Sequence, residues 1–392
     1  MNDEKLIPKL RFSGFTDEWI IKKLNDVSDV NPKTRELPEK FIYIDLDSVN
    51  HGILTKFNQI NKNDAPSRAQ RCLDVNDILF QTVRPYQMNN LFFELYDGEY
   101  VASTGYAQIK SKIVPRFLYY YLHYNKFVNE VLNRCTGTSY PAINSNDLKK
   151  IKIKIPSSSN EQKLIGDLFY KLDQKIELLK DKYHYYQDFK KFLMHQIFAQ
   201  KLRFNFTDEW EKYLLGDISS IGKGFTPSTG NPSFWDGDLK WLSIADMNQG
   251  KYINQTTKKI TSDGSKNKEP VKKGTLLMSF KLSIGKLGIL TEDMYTNEAI
   301  CNFKWKNKDV LTEYMYYYLS SINILKYGSQ AAKGITLNNE TLSTIPVLLP
   351  SIEEQKKIIN ILSDVDLKIN MLENSINDTS KFKKGLLQQM FI

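Results

Sequence analysis

Three sets of residues in this 392-residue chain carry side chains able to do chemistry. In the first half, Arg68, Gln70 and Arg71 come first, then Arg84-Pro85-Tyr86-Gln87, then Thr136-Gly137-Thr138-Ser139-Tyr140. Their guanidinium, amide and hydroxyl groups can hold phosphates or read base edges. In the second half the corresponding places hold Lys223, Thr226 and Ser228, then Ser279, Lys281, Ser283 and Lys286, then Gln330 and Lys333. The third set is a repeated triplet, Glu161-Gln162-Lys163 and Glu354-Gln355-Lys356.

Catalytic patterns do not survive inspection. The triplets contain a Glu-x-Lys element found in metal-dependent nucleases. Both copies fall in the first turn of a helix, where an acid at the positive end of the dipole is ordinary. The four histidines, His51, His123, His184 and His195, lack metal-ligand spacing. Gly222-Lys223-Gly224 lacks the Ser/Thr-ended pattern of a phosphate loop. Asn231-Pro232-Ser233-Phe234 is one proline short of the Asn-Pro-Pro-aromatic signature of amino-methyltransferases, and reads as a turn before Trp235. The cysteines, Cys72, Cys135 and Cys301, are odd in number and scattered, which suits a reducing cytoplasm. No apolar run approaches a membrane span, and the first residues have no signal-peptide pattern. The net charge of +9 favours an anionic partner, nucleic acid above all. The reading is therefore a non-catalytic, cytoplasmic chain with no metal or cofactor of its own.

The elements that must position these residues are announced by duplication. Lys9-Leu10-Arg11-Phe12 and Phe15-Thr16-Asp17-Glu18-Trp19 return as Lys201-Leu202-Arg203-Phe204 and Phe206-Thr207-Asp208-Glu209-Trp210. Pro156-Ser157 and Pro350-Ser351 precede the two triplets, and a long helical pattern follows each. Phe169, Leu172, Ile176, Leu179, Tyr183, Tyr186, Lys190, Leu193 and Ile197 recur in steps of three and four. Leu362, Val365, Ile369, Leu372, Ile376, Thr379, Lys383, Leu386 and Met390 do the same in the same register. Ser159 with Gln162, and Ser351 with Glu354, have capping-box spacing. Lys190 and Lys383 occupy equivalent seam positions, where a lysine either fixes register or snorkels out.

Chain order makes the helix pair antiparallel. A helix of about 40 residues spans about 60 Å. The predicted fold is α+β: two duplicated mixed α/β recognition domains separated by a long antiparallel two-helix coiled coil, with pseudo-twofold symmetry. The boundaries are 1–155, 156–200, 201–349 and 350–392. Within the heads, Asp77–Phe80 and Gly274–Met278 read as buried strands, and Phe117–Leu122 and Tyr314–Leu319 as helical turns. Lys150–Ile155 alternates as a strand with a lysine face, which Ile345–Leu349 lacks.

This arrangement resembles the specificity subunit of a type I restriction-modification system across essentially the whole chain. The resemblance rests on the duplicated lead-ins and helix starts. It rests also on Gly224-Phe225-Thr226-Pro227 with Phe234-Trp235-Asp236-Gly237-Asp238-Leu239-Lys240-Trp241, and on Gly137-Thr138-Ser139-Tyr140-Pro141-Ala142-Ile143-Asn144. It implies that each head reads one half of a split site in double-stranded DNA, with the helices setting the gap. It further implies that the chain recruits two modification subunits, which carry S-adenosylmethionine, and then restriction subunits, which use ATP and Mg. The two triplets are the expected docking surfaces for these partners. Arg84-Pro85 has no clear match in the second head, so contacts do not transfer between heads. The alternative is a pseudo-symmetric structural adaptor that recruits proteins without reading DNA.

Overall fold

The computed structural model describes residues 6–281, 283–331 and 334–392, with the side chains of 329–336 left aside. Packing divides the chain into two units, Met1–Asp181 with Glu373–Ile392, and Lys182–Leu372. Heads and helices are therefore not four separate bodies, because each unit takes half of each long helix.

In the first unit a four-stranded sheet has the order Ser28–Val30, Tyr106–Ser111, Ile78–Gln81, Leu91–Phe92. The run Ile78-Leu79-Phe80 is apolar and buried on both faces, as a central strand requires. A second sheet orders Asn58–Asn61, Lys40–Ile44, Tyr100–Ser103 and Ala69–Cys72, with the middle pair parallel. The helix Pro115–Tyr121 buries Phe117, Leu118, Tyr120 and Tyr121 in a core shared with the first sheet and the long helices.

The second unit repeats the first sheet as Ser219–Lys223, Ile300–Trp305, Leu276–Ser279, Leu287–Leu290, with Tyr252–Ile253 added at the edge. Its second sheet keeps only Lys258–Ile260, Trp235–Leu242 and Tyr295–Thr296, again with one parallel pair. Among the described residues it has no counterpart of the strand that carries Arg71. The helix Thr312–Ser321 matches Pro115–Tyr121.

In each unit a short antiparallel ribbon closes the head against its helix: Ile20–Lys23 with Lys152–Ile155, and Glu211–Leu214 with Pro346–Leu349. The lysine-faced strand starts at Lys152, later than the alternation suggests. Asn144 caps a helix over Ser145–Lys150 by accepting from the Asp147 amide, so Lys150 belongs to that helix.

The long helices cover Ser159–Phe198 and Ile352–Met390. No predicted seam position is exposed, whereas flanking residues such as Lys175, Glu177 and Leu178 are. The first helix is capped by Ser158, not Ser159: its hydroxyl accepts from the Glu161 amide at 3.4 Å, as Ser351 accepts from Glu354 at 3.4 Å.

Both seam lysines are ion-paired. Within the second unit, Lys190 Nζ meets Asp366 Oδ1 at 2.6 Å, and Tyr317 donates its hydroxyl to Asp366 Oδ2 at 2.7 Å. Within the first unit, Lys383 meets Asp173, and Tyr120 donates to Asp173 Oδ2 at 2.7 Å. Burial first, then the neighbouring aspartate, holds both phenols well above their ordinary range. Each triad joins two antiparallel helix halves to a tyrosine of the head, and so fixes their register.

Candidate nucleic-acid interface

The repeated triplets turn inward. Glu161 and Glu354 are each 1% exposed, and both are gripped by the preceding lead-in. Arg11 Nε and Nη2 donate to Glu161 at 2.7 and 2.8 Å, and Trp19 Nε1 adds a 3.4 Å bond. Arg203 donates to Glu354 at 2.7 and 3.0 Å, and Trp210 Nε1 at 3.0 Å. The charge-assisted bond to glutamate holds each guanidinium above its ordinary range. These carboxylates therefore do not close a capping box.

Gln162 and Gln355 are buried too. Gln162 donates to the Pro156 carbonyl at 2.8 Å and accepts from the Val114 amide at 3.2 Å. Gln355 donates to the Asp309 and Pro350 carbonyls at 2.8 and 3.0 Å, and accepts from the Leu311 amide at 3.0 Å. A docking role for Glu161, Gln162, Glu354 and Gln355 as exposed groups is thus corrected: they clamp lead-in and head to the helix. Lys163 and Lys356 alone of the two triplets are exposed.

The first head brings several expected residues together. A cleft of about 1190 Å³ is lined by Arg68, Arg84, Gln87 and Tyr140. Arg84 adopts the left-handed conformation (φ 54°) just before the turn Pro85–Gln87, and its amide donates to the Pro141 carbonyl at 2.7 Å. Its guanidinium then lies 4.4 Å from the centre of the Tyr140 ring. Gln87 is fixed in turn, accepting from Gln81 Nε2 at 2.8 Å.

The cleft does not include every expected residue. Gln70 is exposed but donates to the Ser67 carbonyl at 2.8 Å. Arg71 is half-buried, and its Nε has no partner among the described residues. Burial pulls its pKa down. Tyr86, Thr138 and Ser139 are exposed on the adjoining loops.

Sequence reasoning missed the other wall, which includes Asp45, Asp47, Asn50, Lys56 and Asn89. Its signal was present in Asn50-His51-Gly52. His51 (φ 48°) and Gly52 (φ 82°) make the tight turn joining Val49–Asn50 to Ile53–Leu54.

The second head gathers its candidates at the same end of its matching sheet. Gly224 donates to the Ile300 carbonyl and Phe280 to that of Ala299, so the loops after Lys223 and Ser279 flank one strand start. Ser279 is fully buried. Its hydroxyl donates to the Ser283 carbonyl at 2.6 Å and accepts from the Lys286 amide at 3.0 Å, which pins the hairpin. It is corrected from a contact residue to a structural one. Lys286 Nζ donates to Asn248 Oδ1 at 2.6 Å, while Lys281 and Ser283 are exposed. Thr226 bonds Glu298 and accepts from Asn297 Nδ2 at 3.0 Å. Lys223 and Ser228 are exposed, the latter's carbonyl accepting from Trp235 Nε1 at 3.1 Å. Gln330 lies in a short strand, but its side chain and Lys333 fall outside the described residues.

Among the described residues, no group of three or more His, Cys, Asp or Glu is arranged to hold a metal, and no helix is long and apolar enough to cross a membrane. The turn expected at 231–234 is present, with Asn231 accepting from the Ser233 amide. A duplicated α+β scaffold with unlike polar loops at one end of equivalent sheets defines a two-unit recognition protein. The family model for the type I restriction modification DNA specificity domain matches residues 16–184 and 207–379, and the chain belongs to that family.

Relatives agree. The chain is 23% identical over 402 residues to the type I restriction enzyme HindI specificity subunit of Haemophilus influenzae, covering 81% of this chain and 86% of that one. It is 29% identical over 189 residues to the MjaIX specificity subunit of Methanocaldococcus jannaschii, covering 46% and 42%. The fold matches the crystal structure of a type I restriction-modification S subunit from M. genitalium, with TM-score 0.63 and 16% identity over 98% of this chain and 99% of that one. It also matches a chain from a study of complex assembly and conformational transition in a type I R-M system, with TM-score 0.62 and 18% identity over 95% and 97%.

Proposed function

We propose that this chain is the sequence-specific DNA-binding subunit that directs type I methylation and restriction to a bipartite site. Each head reads one half-site, and the two long helices, continuous from one unit into the other, set the gap. The observation that carries this reading is the doubled specificity domain with unlike loop chemistry on a common scaffold. The family membership favours DNA readout over the adaptor alternative.

In this reading the chain performs no catalysis itself. Lysines and arginines neutralise phosphates, so affinity falls with salt. A few base-edge contacts per head discriminate, each wrong pair costing roughly 1–3 kcal/mol. Binding through both heads adds only when both half-sites fit at once. Two modification subunits supply S-adenosylmethionine chemistry, and restriction subunits supply ATP- and Mg-dependent cleavage, in the cytoplasm. The test is to co-express the chain with its modification partner and map methylated adenines across the host genome. A new split motif with a fixed gap is the expected result. An assembled, donor-binding complex that adds no new methylation would overturn the proposal.

A further inference from the structure

The cleft of the first head is lined by groups of both charge signs, and that mixture is more informative than a basic surface. A groove meant only for phosphates gains nothing from carboxylates, since every phosphate oxygen repels them. Yet Asp45 and Asp47 line this cleft together with Lys56, Arg68 and Arg84. Asp47 is exposed and has no ion pair among the described residues. Asp45 is oriented in advance: its Oδ1 accepts from Ser48 Oγ at 2.6 Å and from the Asp47 amide at 3.1 Å. Its Oδ2 has no partner among the described residues.

Beside them, the Tyr106 hydroxyl is buried without a partner among the described residues, in the field of both carboxylates. Tyr106 is 1% exposed and follows Gly105, itself part of the cleft wall. A buried hydroxyl left unsatisfied beside a cleft marks a place where a ligand or water completes the bonding.

Duplex DNA offers a carboxylate few donors. In the major groove they are the exocyclic amino groups of cytosine and adenine. Aspartate pairs with the cytosine amino group, adenine being read by Asn or Gln. Arginine pairs bidentately with guanine O6 and N7. The Arg84 guanidinium is held over Tyr140 by its left-handed backbone and has no ion pair among the described residues. The cleft therefore offers both halves of the complement to one base pair.

We propose that the first head reads a G·C pair in this cleft, with Arg84 donating to the guanine edge and Asp47 accepting from the cytosine amino group, Asp45 supporting the acceptor side. This rests on the DNA-reading function proposed above and assigns its specificity chemistry in one head. The second head's loops present Lys223, Lys281, Ser283 and Lys286 instead, so the rule does not extend to it.

The experiment compares methylation maps from three co-expressed complexes: unchanged, Asp47→Asn and Arg84→Gln. Absence of any split motif with the unchanged complex refutes the DNA-reading function itself and leaves this assignment without a basis. Given a motif, one half-site is expected to contain a G·C pair. Asp47→Asn and Arg84→Gln should both relax discrimination there by roughly 5- to 150-fold, while the other half-site stays unchanged. An unchanged motif in both variants overturns the assignment. So does a change confined to an A·T pair, or a uniform loss of methylation across all sites. If either variant fails to assemble, the other decides by the same criteria.

Discussion

Removing the Arg11 guanidinium is expected to cost far more than a surface ion pair, because its partner cannot return to water. Glu161 is 1% exposed and its Arg11 partner side chain 10% exposed. Arg11→Ala leaves a buried carboxylate with a single 3.4 Å bond from Trp19. Breaking a buried pair on one side typically costs about 3–5 kcal/mol, or roughly two to three and a half decades in local opening. Glu161→Gln keeps the shape but gives up charge-assisted bonds, at about 1–3 kcal/mol. Replacing both partners, as Arg11→Met with Glu161→Met, removes the stranded charge and should recover most of the loss. Hydrogen exchange read by mass spectrometry over residues 6–23 and 159–170 measures the opening directly. It also avoids assuming that a two-unit chain unfolds in one step. Arg203→Ala should act on residues 205–214 and 352–363 of the second unit. A loss below about 0.5 kcal/mol for Arg11→Ala, or a double variant as damaged as the single, would refute the clamp.

Further outcomes follow from other contacts. His123, held by the Tyr119 carbonyl at 2.8 Å, is pushed down to about 4, mainly by burial. Between an unfolded value near 6.5 and about 4, the unfolded chain carries a proton that the folded one refuses. The first unit should therefore lose up to about 3 kcal/mol as pH falls through that window, and His123→Asn should flatten this dependence in urea titrations at stepped pH. Asp366→Ala removes the ion-pair partner of Lys190 and leaves the Tyr317 hydroxyl with Ser363 and Lys251 alone, and should cost about 1–3 kcal/mol, seen as faster exchange in the second unit. Phe391, which meets the rings of Trp19, Phe117, Tyr121, Tyr124 and Phe169, should cost about 3–5 kcal/mol when cut to alanine, read as faster exchange in the first unit. One added heptad in only one long helix should disrupt assembly, whereas matched additions in both should change the accepted gap in methylation maps and leave each half-site intact.

The helices and the duplication were readable because their signals are local and periodic. Eighteen seam positions in steps of three and four leave little choice of face. One strand of each ribbon and the central strands are legible for the same reason, whereas Ile20–Lys23 and Glu211–Leu214, which pair with those strands, are not. The triplets are legible as repeats, but their glutamates and glutamines turn inward and only Lys163 and Lys356 face out. The arginine partners of the glutamates lie some 150 residues away, as in Arg11 with Glu161, and no local pattern reports a long-range ion pair. Ser279 reads as exposed for a different reason: a serine in a polar hairpin gives no sign that it bonds the hairpin's own backbone, here the Ser283 carbonyl and the Lys286 amide. The first-head cleft was half legible. Loops rich in Arg and Gln announce contact chemistry, but Asp45 and Asp47 join them only through the parallel pairing of Lys40–Ile44 with Tyr100–Ser103.

The glutamine clamps have a consequence for how such a chain can change. Gln162 holds the Val114 amide and the Pro156 carbonyl, and Gln355 holds the Leu311 amide and the Asp309 and Pro350 carbonyls. Every one of these is a main-chain group, present whatever side chain stands at the position. A joint that grips backbone is indifferent to the spelling of what it holds. The loops beyond it are free to drift toward new targets while the hinge points of the scaffold stay where they are.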